Sequence, residues 1–195
     1  KDITEGSSPD KVFPSWSEIG FVPSRSGAVL VPLILNGSSP NVLFLERQNF
    51  LRRHPGEISF PGGEKETSDL SPVDTAIRET CEELGINKDS IHILCSLAPE
   101  ETIVSNFLVY PFVGILKEIS SLDGLLLDQE EIAGAFLVDP FVSSIKLVQK
   151  EFVHENRLIR YPEFHLATGK IIWGLTGKIF AQLLRKMGMD LDQWL

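Results

Sequence analysis

Three glutamates on one short helix face constrain this chain more than any other feature in it. Residues 57–86 read EISFPGGEKETSDLSPVDTAIRETCEELGI: a strand, a Gly-Gly bend, then a helix carrying Glu79, Glu82 and Glu83. Positions i, i+3 and i+4 share one side of a helix, so these carboxylates fall within an arc of roughly 100°. Close anions repel one another, a cost that cations between them relieve. All-oxygen donors suit Mg²⁺ or Mn²⁺, and Mg²⁺ is usually held by few carboxylates together with substrate phosphates. Ser71 suits the N-cap, Pro72 the first helical position, and Asp74 falls three residues after the cap. Gly85 suits the C-terminal stop. Val73, Ile77, Thr80, Cys81 and Leu84 mark the face opposite the acids, the one expected to be buried. An acidic helix face alone is most often solvated surface. The Gly-Gly bend upstream and Arg78 directly before Glu79 set this one apart.

RETCEELGI, residues 78–86, resembles the core of the Nudix box, G-x5-E-x7-R-E-U-x-E-E-x-G-U with U aliphatic. Arg78, Glu79, Glu82, Glu83, Gly85 and Ile86 match, and Thr80 stands at the first aliphatic position. Gly63 lies fifteen residues before Arg78, one more than in the usual box. Leu70 stands where the earlier glutamate belongs, with Asp69 beside it as a substitute; in the family that acid supports the site rather than binding metal. LFLERQNFLRRHPGEISFPGG, residues 43–63, resembles the motif ahead of the box in coenzyme A diphosphatases, L-L-T-x-R-[SA]-x3-R-x3-G-x3-F-P-G-G. Arg47, Arg52, Gly56, Phe60, Pro61, Gly62 and Gly63 stand at its spacings, whereas Phe44, Leu45 and Gln48 depart from it.

The resemblance implies an α/β/α Nudix sandwich, a mixed β-sheet between helices, over residues 27–195 after a lead-in at 1–26. It implies that Glu79, Glu82 and Glu83, with the Gly62 carbonyl, hold Mg²⁺ or Mn²⁺, and that Arg78 holds Glu79 in place. Arg47, Arg52, Gly56 and Phe60 become substrate-binding residues. Guanidinium groups suit phosphate oxygens, although Arg47 could instead pair with a helix glutamate. The general base stays open among Glu79, Glu100, Glu101, Glu130 and Glu131. The implied reaction is water attack on the pyrophosphate of coenzyme A, releasing 3′,5′-ADP and 4′-phosphopantetheine. A broader Nudix hydrolase of ADP-ribose, NADH or oxidised nucleotides is the alternative, and a non-hydrolysing nucleotide-binding module is a third. Trp173, Phe107 and Tyr161 are either adenine-stacking residues or ordinary core.

A chain of 195 residues is one domain by size. Its net charge of −9 argues against nucleic acid or an anionic membrane as partner, so an anionic small-molecule substrate needs local cations. Cys81 and Cys95 are too few for a disulfide scaffold and fit a reducing compartment. The apolar run at 27–35 is too short to span a bilayer, so the cytoplasm is the expected location. Organellar targeting and a homodimer stay open. Val, Ile, Leu and Phe patterning predicts strands at 27–35, 41–47, 57–60, 91–98, 107–116 and 134–138, with SSPN at 38–41 as a hairpin turn. It also predicts short helical pieces at 128–133 and 140–146, a hairpin over 150–166 and a closing helix at 173–187.

Overall fold

Alternation along β1 and β2 explains why this chain builds two layers of core. In the computed structural model, which describes residues 13–19, 25–36, 39–102, 107–141 and 144–194, β1 (Ser26–Asn36) and β2 (Ser39–Arg47) form an antiparallel pair. Ala28, Leu30, Ile34, Leu43 and Leu45 turn to one side; Val31, Leu33, Val42 and Phe44 turn to the other. A strand points successive side chains to opposite faces. One that is apolar on both therefore needs a cover on each side.

The remaining elements supply the covers. After β3 (Ile58–Ser59) and β4 (Gly62–Glu64) comes α1 (Pro72–Leu84), whose Ala76 and Leu84 pack with Leu30 and Leu43. Then follow β5 (Ile91–Ser96), β6 (Glu100–Glu101), β7 (Leu108–Leu116) and β8 (Ile132–Val138). β9 (Lys146–His154), β10 (Arg157–His165) and β11 (Ile171–Ile172) precede α2 (Gly174–Lys186). Ile179, Phe180 and Leu184 of α2 pack with Val31, Leu33 and Phe44 on the second face. Fully burying one such side chain contributes about 1.5–3 kcal/mol. The large sheet runs β3-β2-β1-β7-β5, with β4 also on β1, β6 on β7 and β8 on β2. β1 and β7 are parallel and their neighbours antiparallel, so the sheet is mixed. A smaller sheet, β11-β10-β9, places Phe164 and Ile172 in the α2-side core.

Several expectations shift. Residues 128–133 form no helix: 129–131 turn and 132–133 are already strand. The Asp128 carboxylate accepts from Glu130 N–H and the Asp128 carbonyl from Ile132 N–H, and β8 starts at once. No helix occupies the described part of 140–146; Pro140 and Phe141 turn, and β9 opens at Lys146. β4 and β6 are absent from the sequence reading because two or three residues carry no period. SSPN is partly strand, since Ser39 already pairs with Asn36. The later hairpin turns at Glu155 and Asn156, both at positive φ (47° and 63°), the conformation that two-residue hairpin loops require. Within the lead-in, Trp16 is buried against Tyr110 at 5.3 Å and Phe13 meets Phe112 edge-on, so this stretch packs on the domain. Residues 16–18 form a turn.

Candidate active site

The acid helix begins as its sequence dictates. Ser71 is extended (φ −144°), its side chain accepts from Asp74 N–H, and Pro72 follows at the first helical position. Gly85 ends the helix at φ 64°, where a Cβ would also meet Leu126 at 2.6 Å. The buried face differs from expectation. Thr75, Ala76, Thr80, Leu84 and the acid Glu83 are buried, while Val73, Ile77 and Cys81 are only half-buried. Thr80 satisfies its hydroxyl by donating to the Ala76 carbonyl at 2.6 Å.

Arg78 organises the upper half of the site. Its Nε and Nη2 donate to the two oxygens of Asp69 at 3.0 and 3.1 Å. Nη1 donates to Glu79 Oε1 at 2.9 Å and Glu82 Oε2 at 3.1 Å, and Nη2 to the Glu64 carbonyl at 3.2 Å. All five guanidinium N–H groups are thereby used. The bond to Asp69 is the chief reason the guanidinium pKa is raised. Asp69, 7% exposed, also accepts from Glu66 N–H and Thr75 Oγ1. Burial alone would raise its pKa, but these donors outweigh burial and hold it below the ordinary carboxylate value. Leu70 at the formal motif position is 77% exposed, whereas its neighbour Asp69 makes the supporting contacts.

Glycines let the carboxylates approach the backbone. A Cβ on Gly62 (φ 152°) would lie 2.4 Å from the Ala28 carbonyl oxygen and 2.6 Å from Val29 Cα. A Cβ on Gly63 would lie 2.3 Å from the Glu79 carboxyl carbon. The two substitutions should therefore separate. Gly62→Ala collides with fixed backbone and should cost about 2 kcal/mol or more. Gly63→Ala meets only a side-chain end, so it should displace Glu79 and lower turnover with little change in Tm. Thermal melts run beside initial rates check this; equal stability losses in both would contradict it.

Glu83 sits deeper. Its Oε2 accepts from Gly62 N–H at 3.1 Å, and Oε1 lies 4.0 Å from Arg47 Nη1. Burial pushes its pKa up to about 8, with the charges of Glu79 and Glu131 adding and the Gly62 N–H and Arg47 opposing. Burial likewise raises Glu79, against the pull of Arg78. Arg47 Nη2 reaches Glu131 Oε2 at 3.2 Å, so this guanidinium bridges the helix to the turn before β8. That turn is tied to the end of β2 by Gln48 N–H donating to the Glu131 carbonyl at 2.8 Å.

The expected convergence of Glu79, Glu82 and Glu83 on one point is not what the side chains adopt. Among the described residues, no three His, Cys, Asp or Glu side chains are gathered for a single ion. Arg78 draws Glu79 and Glu82 to itself, and Gly62 N–H draws Glu83 away. The donor chemistry nevertheless fits a hard divalent cation. Three carboxylates share one end of the helix, two are raised in pKa by burial, and Gly63 provides a cradle that a Cβ would fill.

Of the other expected residues, Arg52 is exposed on the loop 48–57 between β2 and β3. Gly56 closes that loop at φ 68°, with Glu57 N–H donating to the His54 carbonyl. Phe60 is a correction. It is 4% exposed and stacks on Phe44 at 4.8 Å, so it supports the site from the core instead of facing a ligand. Among the base candidates, Glu131 touches Arg47 beside Glu83, whereas Glu100 is held by Gln182 at 2.6 Å and lies near Lys178 of α2. Glu101 pairs with Leu108 in β6, and Glu130 is exposed. Tyr161 meets Phe152 edge-on and Trp173 is 43% exposed.

The family model described as NUDIX domain matches residues 24–157. A Pectobacterium atrosepticum protein named "Uncharacterized Nudix hydrolase NudL" is 32% identical over 169 residues, covering 82% of this chain and 81% of that protein. The Yersinia enterocolitica protein of the same name is 37% identical over 101 residues, 52% of this chain, and the match spans about half (51%) of its length. Among solved structures, a MutT/nudix family protein from Enterococcus faecalis superposes with a TM-score of 0.56 at 14% identity. That match covers 88% of this chain and 65% of the other, a likeness of fold alone.

Proposed function

Since this chain belongs to the Nudix family, we propose that it is a divalent-cation-dependent diphosphatase of coenzyme A, including acylated or oxidised forms. Nudix hydrolases act on nucleoside diphosphate derivatives and generally use divalent cations. The observation carrying the finer reading is the meeting of two motifs at one end of β2. Arg47 ends that strand beside Glu83, and the exposed loop leaving it carries Arg52 and Arg53. Arg47 thus stands next to the acid helix and two exposed arginines follow on the adjoining loop, in a chain of net charge −9, which supports a reading in which they bind phosphate.

Glu79, Glu82 and Glu83, with the Gly62 carbonyl, would hold Mg²⁺ or Mn²⁺, which when bound screens the diphosphate and acidifies water. Arg78 keeps Glu79 oriented, as its 2.9 Å bond indicates. We assign the proton of the attacking water to Glu131, a reading supported by its half-exposed carboxylate beside Arg47. The water oxygen bonds to one phosphorus, the bond to the bridging oxygen breaks, and the other phosphate departs with that oxygen. The products are 3′,5′-ADP and 4′-phosphopantetheine.

Arg52 is assigned to the 3′-phosphate. Losing one charge-assisted contact of this kind costs about 1.5–3 kcal/mol, or roughly 10- to 100-fold. Arg52→Ala should therefore lower kcat/KM for coenzyme A by that factor and leave dephospho-coenzyme A almost unchanged. Equal losses on both substrates would remove Arg52 from 3′-phosphate recognition.

A further inference from the structure

Two buried polar atoms on the α1-facing side of the sheet have no hydrogen-bond partner among the described residues: Arg47 Nε and Ser59 Oγ. Their placement follows from the sheet register. Leu45 opposes Ser59 and Glu46 opposes Ile58 in the β2–β3 pair. Ile58 and Phe60 enter the core on the α2 side, whereas Leu45 enters the core under α1. Alternation therefore turns Ser59 toward α1, on the same face as Arg47. The two residues are diagonal cross-strand neighbours, within reach of a long side chain.

Leaving one buried donor unsatisfied costs about 1–3 kcal/mol, and folded proteins rarely do so. Here two such atoms belong to diagonal neighbours of one strand pair. The outer nitrogens of Arg47 face Glu83 at 4.0 Å and Glu131 at 3.2 Å, while its Nε–H has no acceptor among the described residues. Nε–H can only donate, and a serine hydroxyl can donate as well. The partner that satisfies both at once is an acceptor oxygen. Both groups project from paired strands, and each atom is closed to solvent, so the side chains covering them must move aside to admit it.

We propose that Arg47 Nε and Ser59 Oγ together receive one non-bridging oxygen of the substrate diphosphate, making Ser59 a substrate-contacting residue. The inference rests on the diphosphatase reading and adds to it a residue that no motif match singled out. Ser59 contributes direction through a neutral donor. Arg47 adds a charge-assisted one.

The test uses a non-hydrolysable nucleoside diphosphate, adenosine 5′-(α,β-methylene)diphosphate, titrated calorimetrically into the full chain with Mg²⁺. Ser59→Ala should weaken binding about tenfold and lower kcat/KM for the best substrate comparably. Its Tm should be unchanged or slightly higher, because the substitution removes a hydroxyl that has no partner. In an Arg47→Lys background, which lacks Nε, Ser59→Ala should cost little further. Wild-type binding with no change in Ser59→Ala would overturn this inference alone, leaving the diphosphatase reading intact. Fully additive losses would show that the two groups do not share an oxygen. No binding by the wild type would overturn the diphosphatase reading and this inference with it.

Discussion

Glu83→Gln should lower kcat by about a thousandfold while making the cation-free protein more stable. Both effects come from one placement. Glu83 is 5% exposed, accepts from Gly62 N–H, and carries a carboxyl pushed up to about 8 chiefly by burial. A folded-state value above the ordinary 4.5 means that the folded chain binds this proton more tightly than the unfolded chain does. Its contribution to stability is therefore complete below about pH 4.5 and is lost as the pH rises through about 8. Glutamine keeps the shape and cannot ionise. In a chelator, the variant should melt near wild type at about pH 5 and clearly higher at about pH 9. Parallel thermal melts at the two pH values, with rates measured in Mg²⁺, check both halves. Full activity would remove Glu83 from the chemistry, and identical melts at the higher pH would contradict its buried charge.

Arg78→Lys should be the most disruptive conservative change in the domain. Lysine presents three donors from one atom, whereas Arg78 spreads five over Asp69, Glu64, Glu79 and Glu82. The Asp69 side chain is 4% exposed, so losing its two-pronged partner strands a buried charge at a cost of about 3 kcal/mol. Glu79 loses its orienting bond as well, and misplacing a catalytic group by about 1 Å can cost on the order of a hundredfold. Urea denaturation should show the lowered midpoint, and Asp69→Asn should reproduce much of the stability loss with a smaller loss of rate. A lysine variant with wild-type stability would mean that the Asp69 bond carries little.

The helix was readable because each of its signals is local. Ser71, Pro72 and Gly85 act within a turn of themselves, and the glutamate spacing is a property of one segment. Strands β1 and β2 were also readable, since their apolar runs are long. Contacts made across the chain were not. Arg47 meets Glu131 at a separation of 84 residues, a contact set by where the turn before β8 docks. The burial of Glu83 could not be read from helix period, because Gly62, twenty-one residues earlier, supplies its partner. Phe60 was misjudged for a similar reason. Its motif position is correct, but stacking on Phe44 claims the ring for the core. Residues 128–133 carried helix-like composition, and Asp128 folds them into a turn instead.

The most direct test offers the full chain equimolar coenzyme A, NADH, ADP-ribose and an oxidised dGTP with Mg²⁺ or Mn²⁺, the products being read by mass spectrometry. The predicted result is preferential release of 3′,5′-ADP and 4′-phosphopantetheine, abolished by chelation and by Glu82→Gln. Preferential loss of another substrate would contradict the coenzyme A assignment while keeping the diphosphatase chemistry. Tight binding of these nucleotides without turnover would contradict catalysis by the acid helix altogether.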